Sequence, residues 1–159
     1  MSTEVSSKGY LPVEIEPMRV RDLDAVLAIE RVSFPTPWSR YAYLSELLEN
    51  DQAHYVVART GDGKIAGYLG MWLILDEGHI TTIAVHPAYR GRGVGRQLLA
   101  AADIIARANG GSKITLEVRV SNYIAHGLYK KFGYVDVGIR PGYYRDNNED
   151  AIIMWKDLY

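Results

Sequence analysis

The chain has 159 residues, of which 48% are hydrophobic and 23% charged, as is typical of one globular domain with a hydrophobic core. Its formal net charge of -1 gives no general reason to bind nucleic acid or an acidic membrane, so an anion site has to be local. The absence of cysteine excludes disulfides and thiolate zinc sites, and the four histidines lack the spacing of metal ligands, so we expect no metal site.

The N-terminus predicts neither a secretory signal nor a membrane anchor, because it has no apolar segment. The longest uncharged apolar run is AGYLGMWLIL, which is shorter than the roughly 20 residues that span a bilayer. We therefore expect a cytoplasmic protein. Residues 1–12 are rich in serine, threonine and glycine and predict a flexible tail, which leaves residues 13–159 as a single domain.

One strand and two helices are predicted in the first third of the domain. Alternating apolar and acidic residues predict a strand from Val13 to about Val20. Asp22 is expected to cap the first helix, which the prolines of SFPTPWS end, and Ser39 to cap the second, which should stop near Asn50. The apolar positions that define the two helices are Val26, Leu27 and Ile29, followed by Leu44, Leu47 and Leu48.

Strands dominate the rest of the chain. Three are predicted in a row, HYVVAR, KIAGYLGMWLIL and HITTIAV, with turns at TGDGK and DEG. A long helix is predicted from Val94 to about Asn109, followed by the strand KITLEVRV. Ser121 or Asn122 then caps a shorter helix, and the loop RPGYYRDNNED joins the last two strands, YVDVGI and AIIMWK.

The predicted order of elements is β-α-α-β-β-β-α-β-α-β-β, with no internal repeat and no linker. This order predicts one domain of the α/β (α+β) class, in which helices flank a mixed sheet. Three consecutive strands before the long helix argue against a doubly wound fold, which opens with β-α-β.

A glycine-rich stretch, YRGRGVGRQLL, leads into the long helix. Three glycines alternate in it with other residues, and three arginines surround them: Gly91, Gly93 and Gly95, and Arg90, Arg92 and Arg96. The first N–H groups of a helix have no partner within it, and the helix dipole adds about half a positive charge there. Glycine lets the backbone curl around an anion, so the stretch predicts a phosphate or pyrophosphate site, the alternative being a surface turn with solvated arginines.

Two familiar phosphate-binding motifs do not fit this loop. A P-loop has Lys followed by Ser or Thr after the last glycine, whereas this chain has Arg96-Gln97. A dinucleotide-binding motif needs Gly or Ala three places after its second glycine, and counted from Gly93 that place is Arg96. An NAD-type oxidoreductase is therefore a weaker alternative.

The loop resembles that of a known family. Arg90-x-x-Gly93-x-Gly95 after HITTIAVHP is similar to the coenzyme A loop of the GCN5-related N-acetyltransferases (GNAT), and the order of elements resembles their fold over nearly the whole chain. Within the family, LEVRVSNYIAHGLYKKFGY and GYYRDNNEDAIIM resemble the group that acetylates protein N-termini, above all the N-terminal alanine of a small-subunit ribosomal protein. The resemblance implies a mostly antiparallel sheet, acetyl-CoA as cofactor with coenzyme A as product, and a protein or peptide N-terminus as partner. We expect a monomer.

The resemblance also implies the cofactor contacts. In the family, the strand before the loop splays from its neighbour and leaves backbone groups free. The amide of Val85 would then bind the thioester oxygen, and the amides of the loop would take the pyrophosphate. The positions assigned to the cofactor are Ile83, Ala84, Val85, Arg90, Gly91, Arg92, Gly93, Val94, Gly95, Arg96 and Asn122.

Glu117 and Tyr129 are the candidate catalytic residues, because acetyl transfer to an amine needs a proton acceptor and a proton donor for the thiolate. Thr115 and Glu117 share one face of their strand, and a carboxylate in a central strand is costly unless it faces a cleft or finds a partner. We predict that Glu117 is the base, the alternatives being a solvated charge or a salt bridge to Arg119. Tyr129 lies two helical turns after Asn122, and the resemblance makes it the acid, the alternative being a core aromatic residue.

Two segments resemble the places where N-terminal acetyltransferases grip a peptide. One is Phe34-Pro35-Thr36-Pro37-Trp38, where Phe34 is expected to help select the first side chain unless it only packs the helix junction. The other is Tyr143-Tyr144 in the last loop, whose hydroxyls would hold the peptide backbone. We therefore predict an N-α-acetyltransferase. The alternatives are a broad-specificity N-terminal or small-molecule amine acetyltransferase, and a coenzyme A-binding module without turnover.

Overall fold

The computed structural model of the chain describes residues 9–159. These residues form seven strands and four helices in the predicted order, with 3-10 turns at Val20–Asp22 and Pro87–Tyr89. The strands are β1 (Glu14–Pro17), β2 (Ala53–Arg59), β3 (Ile65–Ile74), β4 (Glu77–Val85), β5 (Lys113–Arg119), β6 (Val135–Tyr144) and β7 (Glu149–Asp157). The helices are α1 (Leu23–Ser33), α2 (Arg40–Glu49), α3 (Val94–Ala108) and α4 (Tyr123–Lys131).

All seven strands belong to one sheet, in the order β1-β2-β3-β4-β5-β7-β6. Every neighbouring pair is antiparallel except β4 and β5, which are parallel. The prediction of a mixed, mostly antiparallel sheet flanked by helices is thus confirmed. Within residues 9–159 no helix is long and apolar enough to cross a membrane.

Both faces of the sheet are covered by helices. Helices α1 and α2 pack on one face, with Val26 and Tyr43 fully buried against the strands. Helices α3 and α4 pack on the other face, where Leu98 and Tyr129 belong to a second buried cluster. Burying a large aliphatic side chain stabilises a fold by about 1.5–3 kcal/mol, so the apolar stripe of each helix fixes it to its face.

The sheet opens between β4 and β5. The register joins Glu77–His79 of β4 to Lys113–Thr115 of β5, and no later pair of described residues links the two strands. Strand β4 stays paired with β3 as far as Val85, so beyond His79 it follows one neighbour and leaves the other. The splayed strands leave a gap in the middle of the sheet, as the family resemblance implies.

Three predictions about β1, α1 and α2 are wrong. The first strand ends at Pro17, and Asp22 does not cap α1: its carboxylate accepts a hydrogen bond from the backbone N–H of Arg19 (2.9 Å) and pairs with Arg59 (3.0 Å). The charged guanidinium of a neighbouring strand holds this buried carboxylate more strongly than a helix terminus would. In α2, Ser39 does accept the capping bond from Ala42, but Leu48 is exposed.

Two further differences lie at the ends of the chain. Strand β6 continues to Tyr144, because the hairpin with β7 keeps pairing up to Tyr144 and Glu149, so the predicted long loop shrinks to a short turn. Residues 9–12, predicted as part of a flexible tail, lie against the glycine-rich loop, where the N–H of Leu11 donates to the carbonyl of Arg92. Residues 1–8 of that tail lie outside the described residues.

Candidate functional site

A cavity of about 1020 Å³ opens at the gap between β4 and β5. Its walls come from α1 and the segment after it, from both splayed strands, from α4 and from the β6–β7 hairpin. The predicted site residues that line it are Phe34, Ile83, Glu117, Asn122, Tyr129, Tyr143 and Tyr144. The other predicted residues, Ala84, Val85 and the loop from Arg90 to Arg96, lie outside this lining.

Glu117 and Tyr129 reach the cavity from opposite faces of the sheet. Leu116 and Val118 are buried with Tyr129 in the cluster under α3 and α4. Because side chains alternate along a strand, Glu117 points to the other face, the one that α1 and α2 cover further along the sheet. The gap between the strands therefore lies between a carboxylate on one side and a phenol on the other.

The carboxylate of Glu117 has two partners. Its Oε1 lies 2.8 Å from Nε2 of His79, and its Oε2 lies 3.4 Å from Nε of Arg140. Burial raises the pKa of Glu117, but the hydrogen bond and charge of His79 and the charge of Arg140 outweigh it, so the pKa is lowered overall. Glu117 is therefore ionised at neutral pH. The alternative of a salt bridge to Arg119 is wrong, since Arg119 pairs with Asp146 (3.0 Å) and Glu149 (3.2 Å).

Sequence reasoning missed His79. The residue lies on β4 opposite Thr115 in the last pair before the strands part, two residues from Glu117 along β5. The sequence did offer one signal for His79, because a histidine stands at an alternate position of the strand that precedes the glycine-rich loop. The parallel register that sets it beside Glu117 joins strands separated by a whole helix, so the sequence alone does not give it.

Tyr129 is almost fully buried, with 7% of its surface exposed. Burial, and to a smaller extent the neighbouring Tyr144, raise the pKa of the Tyr129 phenol, which therefore stays protonated at neutral pH. Asn122 begins the same helix: its Oδ1 accepts a hydrogen bond from the backbone N–H of Ala125 (3.2 Å). Asn122 is thus the helix cap, as predicted, and it lines the cavity as well.

The glycine-rich loop presents a row of free amides. None of the N–H groups from Gly91 to Arg96 donates a hydrogen bond to another described residue. Gly91 (φ 75°) and Gly93 (φ 85°) adopt left-handed conformations that L side chains rarely take. The structure gives Gly95 another role, because a Cβ there would lie 3.0 Å from Leu128 of α4. The residues fit an anion such as a diphosphate, which the helix dipole also favours.

The end of β4 continues this row of donors. The N–H of His86 donates to the carbonyl of Ala66 on the β3 side (2.7 Å). Because successive N–H groups of a strand point to opposite edges, that of Val85 points into the gap. Two arginines of the loop are anchored by hydrogen bonds: Arg90 donates through Nε to the carbonyl of Val85 (2.9 Å), and Arg92 donates through Nε to the carbonyl of Gly9 (2.8 Å).

One wall of the cavity is built around a buried carboxylate. Glu30, 1% exposed, accepts hydrogen bonds from the hydroxyls of Tyr43 (2.7 Å) and Tyr68 (2.6 Å) and from the backbone N–H of Trp38 (2.9 Å). It thereby ties the segment after α1 to the sheet. Phe34 in this segment packs against the buried cluster and also lines the cavity, so it does more than pack the helix junction, and its part in selecting the first side chain stays a prediction. Sequence reasoning missed Glu30, although a charge on the apolar stripe of α1 was visible.

The opposite wall is aromatic. Tyr143 and Tyr144 lie at the end of β6, edge to face with ring centroids 5.1 Å apart. The guanidinium of Arg119 stacks over Tyr144 at 4.0 Å, and that of Arg140 lies 6.0 Å from the ring of Tyr143. Burial raises the pKa of Tyr144 to about 12, so this hydroxyl remains a hydrogen-bond donor at neutral pH. Tyr143 is 45% exposed and reaches the solvent at the rim.

Comparison with known proteins agrees with this geometry. The model of the acetyltransferase (GNAT) family matches residues 23–134. A Bacillus subtilis protein provisionally named a ribosomal protein bS18-alanine N-acetyltransferase is 49% identical over 138 residues, which cover 87% of this chain and 91% of that protein. The N-alpha-acetyltransferase RimI of Mycobacterium tuberculosis is 38% identical over 152 residues, 92% of this chain and 93% of that one.

The fold has solved counterparts too. The crystal structure of a ribosomal-protein-alanine N-acetyltransferase of Escherichia coli superposes with a TM-score of 0.82 at 33% identity. It covers 92% of this chain and 94% of the other. The similarity therefore extends over most of both chains.

Proposed function

The chain belongs to the acetyltransferase (GNAT) family, and from that premise we propose that it acetylates the N-terminal α-amine of a protein. The acceptor that we propose is the N-terminal alanine of a small-subunit ribosomal protein, the activity that the names of the Bacillus and Escherichia relatives give. The observation that carries the proposal is the cavity at the β4–β5 gap, which Glu117 and Tyr129 line from opposite faces of the sheet.

Acetyl-CoA, when bound, supplies an acetyl thioester, which the amine attacks so that an N–C bond forms and the C–S bond breaks. The free N–H groups from Gly91 to Arg96 would hold its diphosphate. The N–H of Val85 would donate to the thioester oxygen as negative charge develops there. The N–H of Ile83, which by the same alternation points into the gap, would pair with an amide group of the pantetheine arm as an added strand does, whereas the N–H of Ala84 points to β3.

Glu117 accepts the proton that the acceptor amine releases. A free α-amino group has a pKa of about 7.7–8.0, so much of it is protonated at neutral pH and has to lose a proton before it attacks. The lowered pKa of Glu117 keeps the carboxylate ionised, and its charge favours the approach of the ammonium group. His79 positions the carboxylate through their hydrogen bond, and Arg140 holds its second oxygen.

Tyr129 donates a proton to the departing thiolate. Its raised pKa keeps the phenol protonated, and its place on the face opposite Glu117 separates the proton donor from the proton acceptor. Asn122, two helical turns before Tyr129, lines the same cavity and supplies a side-chain amide to the cofactor. The protein thus handles the two proton transfers with two separate groups, one on each face of the sheet.

The acceptor peptide enters between the two walls already described. Phe34 and Trp38 form an apolar side that suits a small first residue such as alanine. The hydroxyls of Tyr143 and Tyr144 face it across the cavity and bind the peptide backbone. With this function, the protein acts in the cytoplasm as a monomer, and its partner is a ribosomal protein. It contacts neither nucleic acid nor a membrane directly.

Mass spectrometry on a panel of short free peptides that differ only in residue one tests this function. We expect acetylation at the α-amine, fastest with alanine first. A matched peptide with a blocked N-terminus and a free lysine side chain is the control, and it should stay unmodified. Preferential acetylation of that lysine, or of a polyamine, would contradict the proposal, and equal rates for all first residues would replace alanine specificity with broad N-terminal specificity.

A further inference from the structure

The segment Gly9–Val13, which we call the strap, crosses the glycine-rich loop. We propose that the strap is part of the coenzyme A site: it holds the loop Gly91–Arg96 in its anion-binding conformation and so sets the affinity for coenzyme A. The inference rests on the proposed function and adds to it a segment outside the cavity.

Two hydrogen bonds join the strap to Arg92, one through the main chain of Arg92 and one through its side chain. The N–H of Leu11 donates to the carbonyl of Arg92 (2.8 Å), and Nε of Arg92 donates to the carbonyl of Gly9 (2.8 Å). The main chain and the side chain of one loop residue are thereby both fixed. A charged guanidinium makes the second of these bonds stronger than a bond between neutral groups.

Gln97 adds a second set of contacts. Its Nε2 donates to the carbonyls of Leu11 (2.8 Å) and Gly93 (3.1 Å), and its Oε1 accepts from the N–H of Val13 (3.0 Å). One side chain in the first turn of α3 therefore ties the strap to the loop. These bonds satisfy both functional groups of the amide.

Tyr10 covers Gly93. A Cβ at Gly93 would lie 2.8 Å and 2.9 Å from two ring atoms of Tyr10. The ring leaves no space for a side chain at a position whose φ of 85° already favours glycine. The contact restricts the most flexible residue of the loop.

The strap supports the anion site without occupying it. Its bonds to the loop use the carbonyl and the side chain of Arg92, and none of those described uses an N–H group from Gly91 to Arg96. In a trans peptide the C=O and the next N–H point in opposite directions. Holding the carbonyl of Arg92 toward the strap therefore turns the N–H group of Gly93 away from it, toward the side where an anion can bind.

Fixing this loop in advance favours binding. A glycine-rich segment has large conformational freedom, and ordering it when the ligand arrives weakens affinity. A loop already held by the strap avoids that loss. The strap is thus expected to change the dissociation constant of coenzyme A and to leave the acceptor side of the cavity unaffected.

Two substitutions in the full chain test the proposal. Gln97→Leu removes the three hydrogen bonds of the side chain at similar size, and Tyr10→Ala removes the ring over Gly93. Tyr41→Ala is the matched control, because Tyr41 is a comparably exposed tyrosine on α2 (75% against 67% for Tyr10). Calorimetry gives the Kd of coenzyme A, hydrogen exchange reports the loop amides without ligand, and kinetics at saturating acetyl-CoA give the KM for the peptide.

We expect Kd to rise about tenfold in Gln97→Leu, with a smaller rise in Tyr10→Ala and none in Tyr41→Ala. Loop amides should exchange faster in the first two variants, while the peptide KM stays unchanged. If the unaltered chain binds coenzyme A and both strap variants bind it equally well, the strap has no such role and the proposed function stands. If the unaltered chain does not bind coenzyme A, the proposed function fails and this inference fails with it.

Discussion

The Nε2 atom of His79 lies 2.8 Å from Oε1 of Glu117, at the point where the pairing of β4 and β5 ends. The contact joins the two strands where the gap begins, and it holds the carboxylate of Glu117 at that place. With Arg140 it outweighs the effect of burial and keeps the pKa of Glu117 low. The hydrogen bond from His79 therefore contributes both to the position and to the charge state of the proposed base.

Replacing His79 with phenylalanine should change the pH dependence of the reaction. The ring keeps similar bulk but loses the hydrogen bond that lowers the pKa of Glu117, so burial raises that pKa. The protonated, inactive form of Glu117 then persists to higher pH, and activity is lost sooner as the pH falls. The acid limb of the kcat/KM profile should move to higher pH, while the Kd of coenzyme A stays the same. A profile that coincides with that of the unaltered enzyme would remove His79 from this role.

Tyr129→Phe should lower kcat by about a hundredfold, because general acid catalysis contributes that order of rate. Tyr134→Phe is the matched control: Tyr134 lies 6.1 Å from Tyr129, ring to ring, and its buried hydroxyl has no hydrogen-bond partner among the described residues. Deleting a hydroxyl without a partner should leave stability equal or higher and activity unchanged. Equal activity of both variants would make Tyr129 a core residue only.

Gly93→Ala should weaken coenzyme A binding as well as stability, because a side chain strains the backbone at φ 85° and collides with Tyr10. Gly63→Ala is the control, since Gly63 has φ 88° in an exposed turn with nothing within 4 Å of its added Cβ. Both variants should lose about 1–2 kcal/mol of unfolding free energy from the left-handed conformation. Only Gly93→Ala should raise the Kd of coenzyme A. A similar rise of the Kd in Gly63→Ala would mean that the weaker binding does not come from the loop around Gly93.

Local patterns predicted much of this structure. Alternation in ITLEV assigned Glu117 and Thr115 to one face, and the structure confirms it. The glycine-rich stretch marked the start of α3 at Val94, and Asn122 was recognised as a helix cap. Each of these features depends on a few neighbouring residues, whose spacing is visible in the sequence.

Features that depend on distant partners could not be found in this way. His79 meets Glu117 only because the strands on either side of α3 pair in one register. Asp22 pairs with Arg59 from another strand and so does not cap its helix. Residues 9–12 of the strap are predicted as a tail, because their hydrogen bonds are to Arg92 and Gln97, more than 80 positions away in sequence.

Glu149→Gln should destabilise the β6–β7 hairpin in a pH-dependent way. Hydrogen bonds from Ser121, with further bonds from Asn147 and Arg119, lower the pKa of Glu149 from 4.5 to about 2. The stabilisation by the ionised carboxylate of Glu149 is therefore present above pH 4.5 and is lost as the pH falls toward 2. The difference in Tm between the unaltered chain and the variant should be largest near neutral pH and shrink in acid.

The Glu149→Gln substitution should also weaken binding of the acceptor peptide. Glu149 holds Arg119 (3.2 Å), which stacks on Tyr144 at 4.0 Å. Loosening this stack should raise the KM for the peptide and leave the Kd of coenzyme A unchanged. A pH-independent difference in Tm would contradict the assigned charge state of Glu149. An unchanged KM for the peptide would mean that the β6–β7 hairpin does not contribute to acceptor binding in this way.

The central claim is that Glu117 accepts the proton of an α-amine attacking acetyl-CoA at the β4–β5 gap. The most direct test is the single-turnover rate of acetylation of an alanine-first peptide by Glu117→Gln, followed by mass spectrometry between pH 6 and 9. We expect a rate at neutral pH about a hundredfold or more below that of the unaltered enzyme, with an equal Kd for coenzyme A. A rate equal to that of the unaltered enzyme across this pH range would contradict it.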